Sequence, residues 1–437
     1  MASQPRLPGP AAALPLLLLA AAAAGCGSEA PVPEGPNLLL LTVDTLRADH
    51  LGFHAHPRAT SEHLDALART GVVFEDAQAQ ASWTLPSLAS LMTSLSTSAH
   101  GCWSFKTFLD PSFPTLAEQL LAAGYDTAAV VSHVFLGRPY GLHQGFVHFD
   151  DELVQELRKS DEAISSPAVT EKGLAFLRHK AAAADGRPWF LWLHYFDPHV
   201  VYQEHPEISD AFGTEEPIDL YDGEIAFTDR HVGRVLAELD ELGLAGDTVV
   251  VFTADHGEEF GDHGGVDHGH TLFEELVRVP LVIRAPGFAP RRVPGTVQVV
   301  DVLPTVHELL GLEAPAVREG ESLVPAMGGA PLGERAALAE LRRSDRNDLA
   351  SLATGRWKLI LDRSRGRRLL YDRQVDRGER VDVAAEHPEV VRELLAELEA
   401  RRTRALELGQ RFERGSRRQP GADELANLED LGYAGDE

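Results

Sequence analysis

The stretch that decides the fold is residues 248–258, TVVVFTADHGE. Val249, Val250, Val251 and Phe252 make an uninterrupted β-branched and aromatic run, the pattern of a strand buried on both faces as in a parallel sheet. The run ends in Asp255-His256-Gly257. A carboxylate beside an imidazole at the carboxyl end of such a strand lies where open α/β sheets place their ligand chemistry. The plainer alternative is that Asp255 caps the next turn. What the other strands carry at their ends separates the two readings.

Working outward, residues 37–43 (NLLLLTV) read as a first buried strand stopping at Asp44-Thr45. Ser61 is expected to cap a short helix through Leu64, Leu67 and Ala68 that Gly71 closes, with a strand at 72–75 after it. The segment 81–100, ASWTLPSLASLMTSLSTSAH, sets Leu85, Leu88, Leu91, Met92 and Leu95 at helical spacing, with Pro86 in the first turn. Thr84 then stands at a helix entrance, where backbone amides favour an anion. A capping role for Thr84 or Ser82 is compatible with a catalytic one. A helix at 115–123 and a strand at 125–131 follow, the latter ending in Ser132-His133. Residues 189–195 (WFLWLHY) form another strand, followed by Phe196-Asp197-Pro198-His199. His194 lies inside that strand and reads as buried scaffold. An amphipathic helix through Ile225, Val232, Val235, Leu236, Leu239 and Leu242 stops at Gly243 and leads into the opening strand. A loop rich in Gly, Asp and His runs on to His270, before a strand at 279–283 and a helix near 302–310.

Strands alternating with helices predict an α/β fold with a mostly parallel central sheet flanked by helices. Right-handed crossovers gather the strand ends along one edge, bringing Asp44, His133, Asp197/His199 and Asp255/His256 together. Four strand ends carrying metal-ligand or acid–base side chains favour a shared site over coincidence.

From Leu332 the texture changes. Residues 352–361 and 368–372 read as antiparallel strands, and Pro388 opens a helix burying Val391, Leu394, Leu395 and Leu398. The expected division is a signal segment (1–26), a tether (27–36), a catalytic domain (37–330), a small C-terminal α+β subdomain (331–411) and a polar tail (412–437). Loops at 160–187 and 200–217 are expected to wall the substrate pocket. The apolar run 11–24 ends in Gly25-Cys26, and small residues before a cysteine resemble the lipobox of bacterial lipoproteins. Cys26 would then be a lipid anchor to the membrane, placing the protein in the periplasm, at the outer membrane or on the cell surface. An ordinary cleaved signal peptide is the alternative. With two cysteines in all and Cys26 lipidated, no disulfide framework is available. A formal charge of −27 argues against nucleic acid as a partner. It also means that an anionic substrate needs a local cation, which a bound metal supplies.

The motifs NLLLLTVDTLRADHLG, SWTLPSLASLMT, WLHYFDPHVVY, TVVVFTADHGEEFGDHG and TLFEELVRVPLVIRAPG resemble, in order and spacing, the sulfatase family of the alkaline phosphatase superfamily. LLYDRQVDRGERVDVA is similar to that family's small C-terminal sheet domain. The resemblance implies one divalent metal ion (Mn, Zn or Ca) held by Asp44, Asp255 and His256. It places His199 where a family histidine contacts the substrate anion or assists the leaving group, with Asp197 beside it as a substrate contact. His133 takes the place of a catalytic lysine or histidine, and His268 that of a substrate-binding residue from a loop whose glycines also suit plain mobility.

Two departures stand out. Thr45 replaces the second acid of the family's Asp-Asp pair. The formylglycine signature (Cys or Ser, any residue, Pro, Ser, Arg) is here Thr84, Leu85, Pro86, Ser87 and Leu88, so no formylglycine is expected. Superfamily relatives that cleave or transfer phosphodiesters use an unmodified threonine, and Asp44, Thr84, Asp255 and His256 reproduce their set. A shell containing imidazole leans toward Mn or Zn over Ca. The expectation is a hydrolase attacking sulfate or phosphate esters of a small molecule or glycan through Thr84. The alternatives are a phosphodiesterase, phosphonate hydrolase or phospho-group transferase without sulfatase activity, and an inactive glycan-binding surface lipoprotein.

Overall fold

Runs of Leu, Val and Ile free of charge become the middle of an eight-stranded sheet. Its strands are β1 (Asn37–Val43), β2 (Val72–Gln78), β3 (Asp126–Val130), β4 (His148–Asp150), β5 (Trp189–Tyr195) and β6 (Thr248–Ala254). A two-stranded ribbon, β7 (Glu259–Phe260) with β8 (Val266–Asp267), follows, and then β9 (Arg278–Arg284) and β10 (Arg291–Gln298). The sheet order is β10-β2-β9-β6-β1-β5-β3-β4. β9 runs antiparallel to β6 and β2, and the remaining pairs are parallel. Every residue of β1, β5 and β6 is buried. These strands lie side by side in near-flush register: Val43 pairs with Tyr195 on one side and Ala254 on the other. The residues after them therefore emerge together at one sheet edge. This computed structural model describes residues 35–157, 164–183, 185–344 and 347–413. The expected signal segment, nearly all of the tether and the tail beyond residue 413 lie outside the described residues. Among the described residues no helix is long and apolar enough to cross a membrane.

Several local expectations are corrected. The helix Glu62–Thr70 is not capped by Ser61, whose hydroxyl accepts the Gly52 amide (2.8 Å) and donates to Asp65 (3.0 Å). Instead the Asp229 carboxylate, from the helix Pro217–Glu241, takes the amides of His63 and Leu64 at 2.9 and 2.8 Å. A distant acid thus does the work of a local cap. The segment 81–100 is two helices, Thr84–Thr93 and Thr97–His100, broken where Ser94 turns left-handed (φ 56°). The first is buried on every side, so its apolar stripe is a core pattern rather than a surface helix. The expected loop 160–187 contains the helix Ser166–Ala183.

The C-terminal part is a four-stranded antiparallel meander of β11 (Ala337–Ser344), β12 (Asn347–Ala353), β13 (Trp357–Asp362) and β14 (Arg367–Asp372), with the helix Pro388–Gly409. Residues 352–361 had read as one strand because both arms are apolar. The chain reverses inside them, and Thr354 and Trp357 close the turn through Thr354 N–H to the Trp357 carbonyl at 2.8 Å. Each strand alternates its faces. Leu338, Leu352, Leu359 and Leu370 pack with Val391, Leu394 and Leu398 of the helix as a small separate core. Leu341, Leu349, Ile360 and Tyr371 face the other way and join the main core. Leu395 sits at the edge of the small core and is only partly buried.

Candidate active site

The sheet edge assembles the site. Asp44 follows β1, its amide bonded to the Tyr195 carbonyl at the end of β5 (2.9 Å). Asp255 and His256 follow β6. The helix Thr84–Thr93 is pinned against that same end by Ser87, whose hydroxyl donates to the Asp255 carbonyl (2.6 Å). Trp83 occupies the cap position, and neither Ser82 nor Thr84 caps the helix through its side chain. The Thr84 Oγ1 instead lies 3.4 Å from His256 Nε2, with Thr84 itself 1% exposed.

Hydrogen bonding identifies what the cluster lacks. Asp255 Oδ1 accepts the amides of Thr45 (3.2 Å) and His256 (2.9 Å), while its Oδ2 has no donor among the described residues. Asp44 Oδ1 is likewise buried without a donor. His256 Nδ1 donates to the Gly257 carbonyl (2.9 Å), so its Nε2 presents a lone pair. That lone pair faces Asp44 Oδ1 at 3.6 Å and Asp255 Oδ2 at 3.4 Å. Three fully buried acceptors converge, and among the described residues the donor that approaches them is the Thr84 hydroxyl, 3.4 Å from His256 Nε2. Such an arrangement fits a divalent cation, and Asp44, Asp255 and His256 are the residues that would hold it. Without a cation, burial and then the neighbouring Asp255 carboxylate push the Asp44 carboxyl well above its ordinary pKa.

Around this cluster stand four more imidazoles. His133 Nδ1 accepts the Phe135 amide (3.1 Å), so its Nε2 carries the proton, 3.8 Å from Asp44 Oδ2. His199 Nδ1 donates to the Val200 carbonyl (2.6 Å), so the neutral ring carries its lone pair on Nε2. The rings of His199 and His268 are 4.9 Å apart, and those of His268 and His256 are 4.5 Å apart. Burial first, and then mutual proximity, hold His133, His199 and His268 well below the usual imidazole range. Burial lowers His194 to about 4. The pocket thus presents neutral, directional donors and acceptors.

Of the sequence-predicted residues, Asp44, Thr84, His133, His199, Asp255, His256 and His268 gather here. Asp197 does not. Its oxygens accept the amides of Ser165 (3.1 and 3.2 Å) and Ser166 (2.8 Å) at the start of the helix Ser166–Ala183. Both oxygens are committed to backbone, so the expected substrate contact gives way to anchoring that helix.

Three participants escaped sequence reading. His194, taken as scaffold, lies 3.3 Å from Asp44 Oδ2. Its pairing with Thr42 across β1 and β5, with Thr42 two residues before Asp44 on the same strand face, was the available signal. Glu258 bonds His268 Nδ1 at 3.0 Å, its own pKa lifted to about 8 by burial. Arg343 of β11 reaches the Gly269 carbonyl (3.5 Å) and lies over Trp83, 6.0 Å from its ring centre. No local pattern announces either of the last two.

Two other groups of potential ligands are satisfied internally. Asp222 is shared by His50 (2.6 Å), His56 (3.2 Å) and Arg58 (2.9 Å). His263 is engaged at both nitrogens, by Glu275 (2.6 Å) and by the Glu379 carbonyl (3.0 Å).

An alkaline-phosphatase-like sheet whose edge gathers buried acids, an imidazole and a hydroxyl defines a class of ester hydrolases. Comparison with known proteins narrows the class. The family model described as Sulfatase matches residues 36–312. The chain is similar to arylsulfatase A of Bos taurus, 29% identical over 351 residues, covering 67% of this chain and 68% of that one. It is also similar to a multifunctional alkaline phosphatase superfamily protein of Trinickia caryophylli, 26% identical over 400 residues, covering 66% and 76%. Among solved structures, the phosphonate monoester hydrolase of Agrobacterium radiobacter shares the fold with a TM-score of 0.71 at 24% identity, covering 85% of this chain and 96% of that one. The chain belongs to the sulfatase family of the alkaline phosphatase superfamily and is an enzyme of the sulfuric ester hydrolase type. Members of this family typically use a divalent metal.

Proposed function

We propose that this protein hydrolyses sulfate or phosphate esters in two steps, with the Thr84 hydroxyl as nucleophile. The observation that carries the reading is the approach of Thr84 Oγ1 to the acceptor cluster, 3.4 Å from His256 Nε2. Asp44, Asp255 and His256 would hold a divalent cation, whose Lewis acidity would lower the pKa of a neighbouring hydroxyl and offset substrate charge. The imidazole shell favours Mn or Zn for that place over Ca. Thr84 attacks sulfur or phosphorus in line, and the ester bond to the leaving oxygen breaks. The His133 Nε2–H donates a hydrogen bond to the substrate anion. His199 Nε2, which carries the lone pair while Nδ1–H is held by the Val200 carbonyl, takes the Thr84 hydroxyl proton and passes it to the departing alkoxide; in the second step it takes a proton from the water that cleaves the threonyl ester and returns it to the threonyl oxygen. His268, oriented by Glu258, holds the substrate on the side of the pocket where Arg343 approaches Gly269.

The nucleophile also bears on the substrate. A formylglycine sulfatase releases sulfate by elimination from a gem-diol, a route a threonine lacks. Phosphate mono- or diesters, or phosphonates, should therefore be turned over at least as well as sulfates. The run ending in Gly25-Cys26 supports export with Cys26 as lipid anchor, so the substrate is a small-molecule or glycan ester met outside the cytoplasm.

The test is an assay of the metal-analysed protein on aryl sulfate, aryl phosphate, aryl phosphodiester and phosphonate, beside Thr84→Ala. Turnover of at least one that is lost in Thr84→Ala supports the reading. Equal activity in the variant removes Thr84 from the mechanism, and activity on none favours the glycan-binding alternative.

A further inference from the structure

From Asp44 Oδ2, while Oδ1 faces His256, runs a chain of polar side chains that the proposed reaction does not use. Trp192 Nε1 lies 2.9 Å from Thr42 Oγ1, Thr42 Oγ1 lies 2.9 Å from His194 Nδ1, and His194 Nε2 lies 3.3 Å from Asp44 Oδ2. Thr42, His194 and Asp44 have no exposed surface, and neither does Trp192. The two ends of this chain fix its polarity. The indole nitrogen can only donate, and Asp44 as a metal ligand would be an ionised carboxylate, which can only accept. One arrangement of protons satisfies every member: Trp192 N–H to Thr42 Oγ1, Thr42 O–H to His194 Nδ1, and His194 Nε2–H to Asp44 Oδ2. The competing acceptor for the Thr42 hydroxyl, the Leu193 carbonyl, is at the longer distance of 3.5 Å.

We propose that His194, held in one tautomer by Thr42 and Trp192, is a positioning residue that orients Asp44 as a metal ligand. It occupies Oδ2 and turns Oδ1, which has no donor of its own among the described residues, toward the acceptor cluster. Asp255 shows the same division of labour: two amides hold Oδ1 and leave Oδ2 for the cluster. Each acid thus has one oxygen fixed by the protein and one presented. For Asp255 the fixing groups are backbone. For Asp44 the fixing group is an imidazole, whose orientation is set one step further back. Outer donors of this kind align a ligand and set its affinity.

The inference rests on the metal reading above, and the experiment separates the two. Mn2+ is titrated into the metal-free full chain, with free Mn2+ followed by electron paramagnetic resonance and thermal unfolding of the metal-free protein recorded alongside. His194→Phe, which fills the space without a donor, is expected to weaken Mn2+ binding about 10–100-fold. His194→Gln, whose amide nitrogen replaces Nε2 as donor, is expected to stay within about threefold of the parent. A residue that merely fills space would not separate Phe from Gln by affinity. Equal affinity in His194→Phe and the parent overturns the proposal, as does equal weakening in both variants. Should His194→Phe fail to fold, Thr42→Val is read in its place. It removes the hydroxyl that fixes the tautomer, and a weakening of about 3–10-fold is expected; unchanged affinity overturns the proposal. A parent protein that binds no Mn2+ overturns the metal reading and this inference with it.

Discussion

Two buried groups of carboxylates in this molecule stand in opposite surroundings. Under the C-terminal sheet, Asp76 of β2 and Glu274 meet Arg373, whose guanidinium lies 2.9 Å from Asp76 Oδ2 and 3.0 Å from Glu274 Oε1. Lys358 of β13 stands 2.9 Å from Glu379 Oε1 in the same layer. There the chain supplies its own cations. At the sheet edge, Asp44 and Asp255 are buried just as deeply, yet the groups around them are imidazoles and a hydroxyl, with no Arg or Lys in ion-pair contact among the described residues. A protein that buries acids without a basic partner has left the charge to be supplied from outside. The first region holds the join between the two sheets, and the second is where the proposed function places a ligand.

That contrast can be broken by experiment, beginning where the effect is largest. Asp255→Asn should lower metal-dependent kcat/KM by about 10^3-fold or more, measured on whichever aryl ester the parent turns over, because the variant loses an anionic ligand. Arg373→Met should leave that activity nearly intact but cost about 3–5 kcal/mol of stability by stranding Asp76 and Glu274, read from urea unfolding. Chelation should destabilise the parent by about 2.7 kcal/mol if the ion stands near 100 times its Kd, and Asp255→Asn by almost nothing. In metal-free protein the same Asp255→Asn should raise stability, by about 1 kcal/mol, because it relieves a carboxylate that lifts the neighbouring Asp44. Neutralisation would then stabilise one region and destabilise the other.

The smallest effect is in acid. Burial alone would lift the Asp76 carboxyl, but Arg373, with Arg377 and Thr296, holds it well below the ordinary range. A depressed carboxyl contributes stability that is present above its unfolded pKa, about 3.9, and is lost as pH falls below it. The stability gap between the parent and Asp76→Asn should therefore narrow as pH is lowered from about 5 to 2. A gap independent of pH would show that Asp76 is not held ionised by Arg373.

The sequence made the edge-forming strands legible because β1, β5 and β6 are apolar on both faces and short, and because their ends carry acids and imidazoles rather than turn residues. Right-handed crossovers led to the expectation that their ends gather along one edge; which strands lie side by side is seen only in the structure. Asp197 shows where that reasoning stops. It ends a strand like the others, but its carboxylate turns to two amides contributed by a helix some thirty residues earlier in the chain, a partner no spacing rule identifies. Ser61 fails in the same way, displaced as a cap by Asp229 from another helix. His194 was readable in principle from strand alternation beside Thr42, whereas Arg343 arrives from a separate sheet and was not. What pattern reveals is which face a residue shares; which partner it finds there is decided by packing over long sequence distances.

The claim on which the account stands is that one cation would bring Asp44, Thr84, Asp255 and His256 to a common centre. Anomalous X-ray scattering at the metal edge, from crystals of the Mn2+-loaded or Zn2+-loaded chain, measures this directly. A peak is expected within about 2.5 Å of Asp44 Oδ1, Asp255 Oδ2 and His256 Nε2, with Thr84 Oγ1 in the same shell. A peak confined to the His50–His56–Asp222 group, or a filled centre with Thr84 turned away from it, would contradict the account.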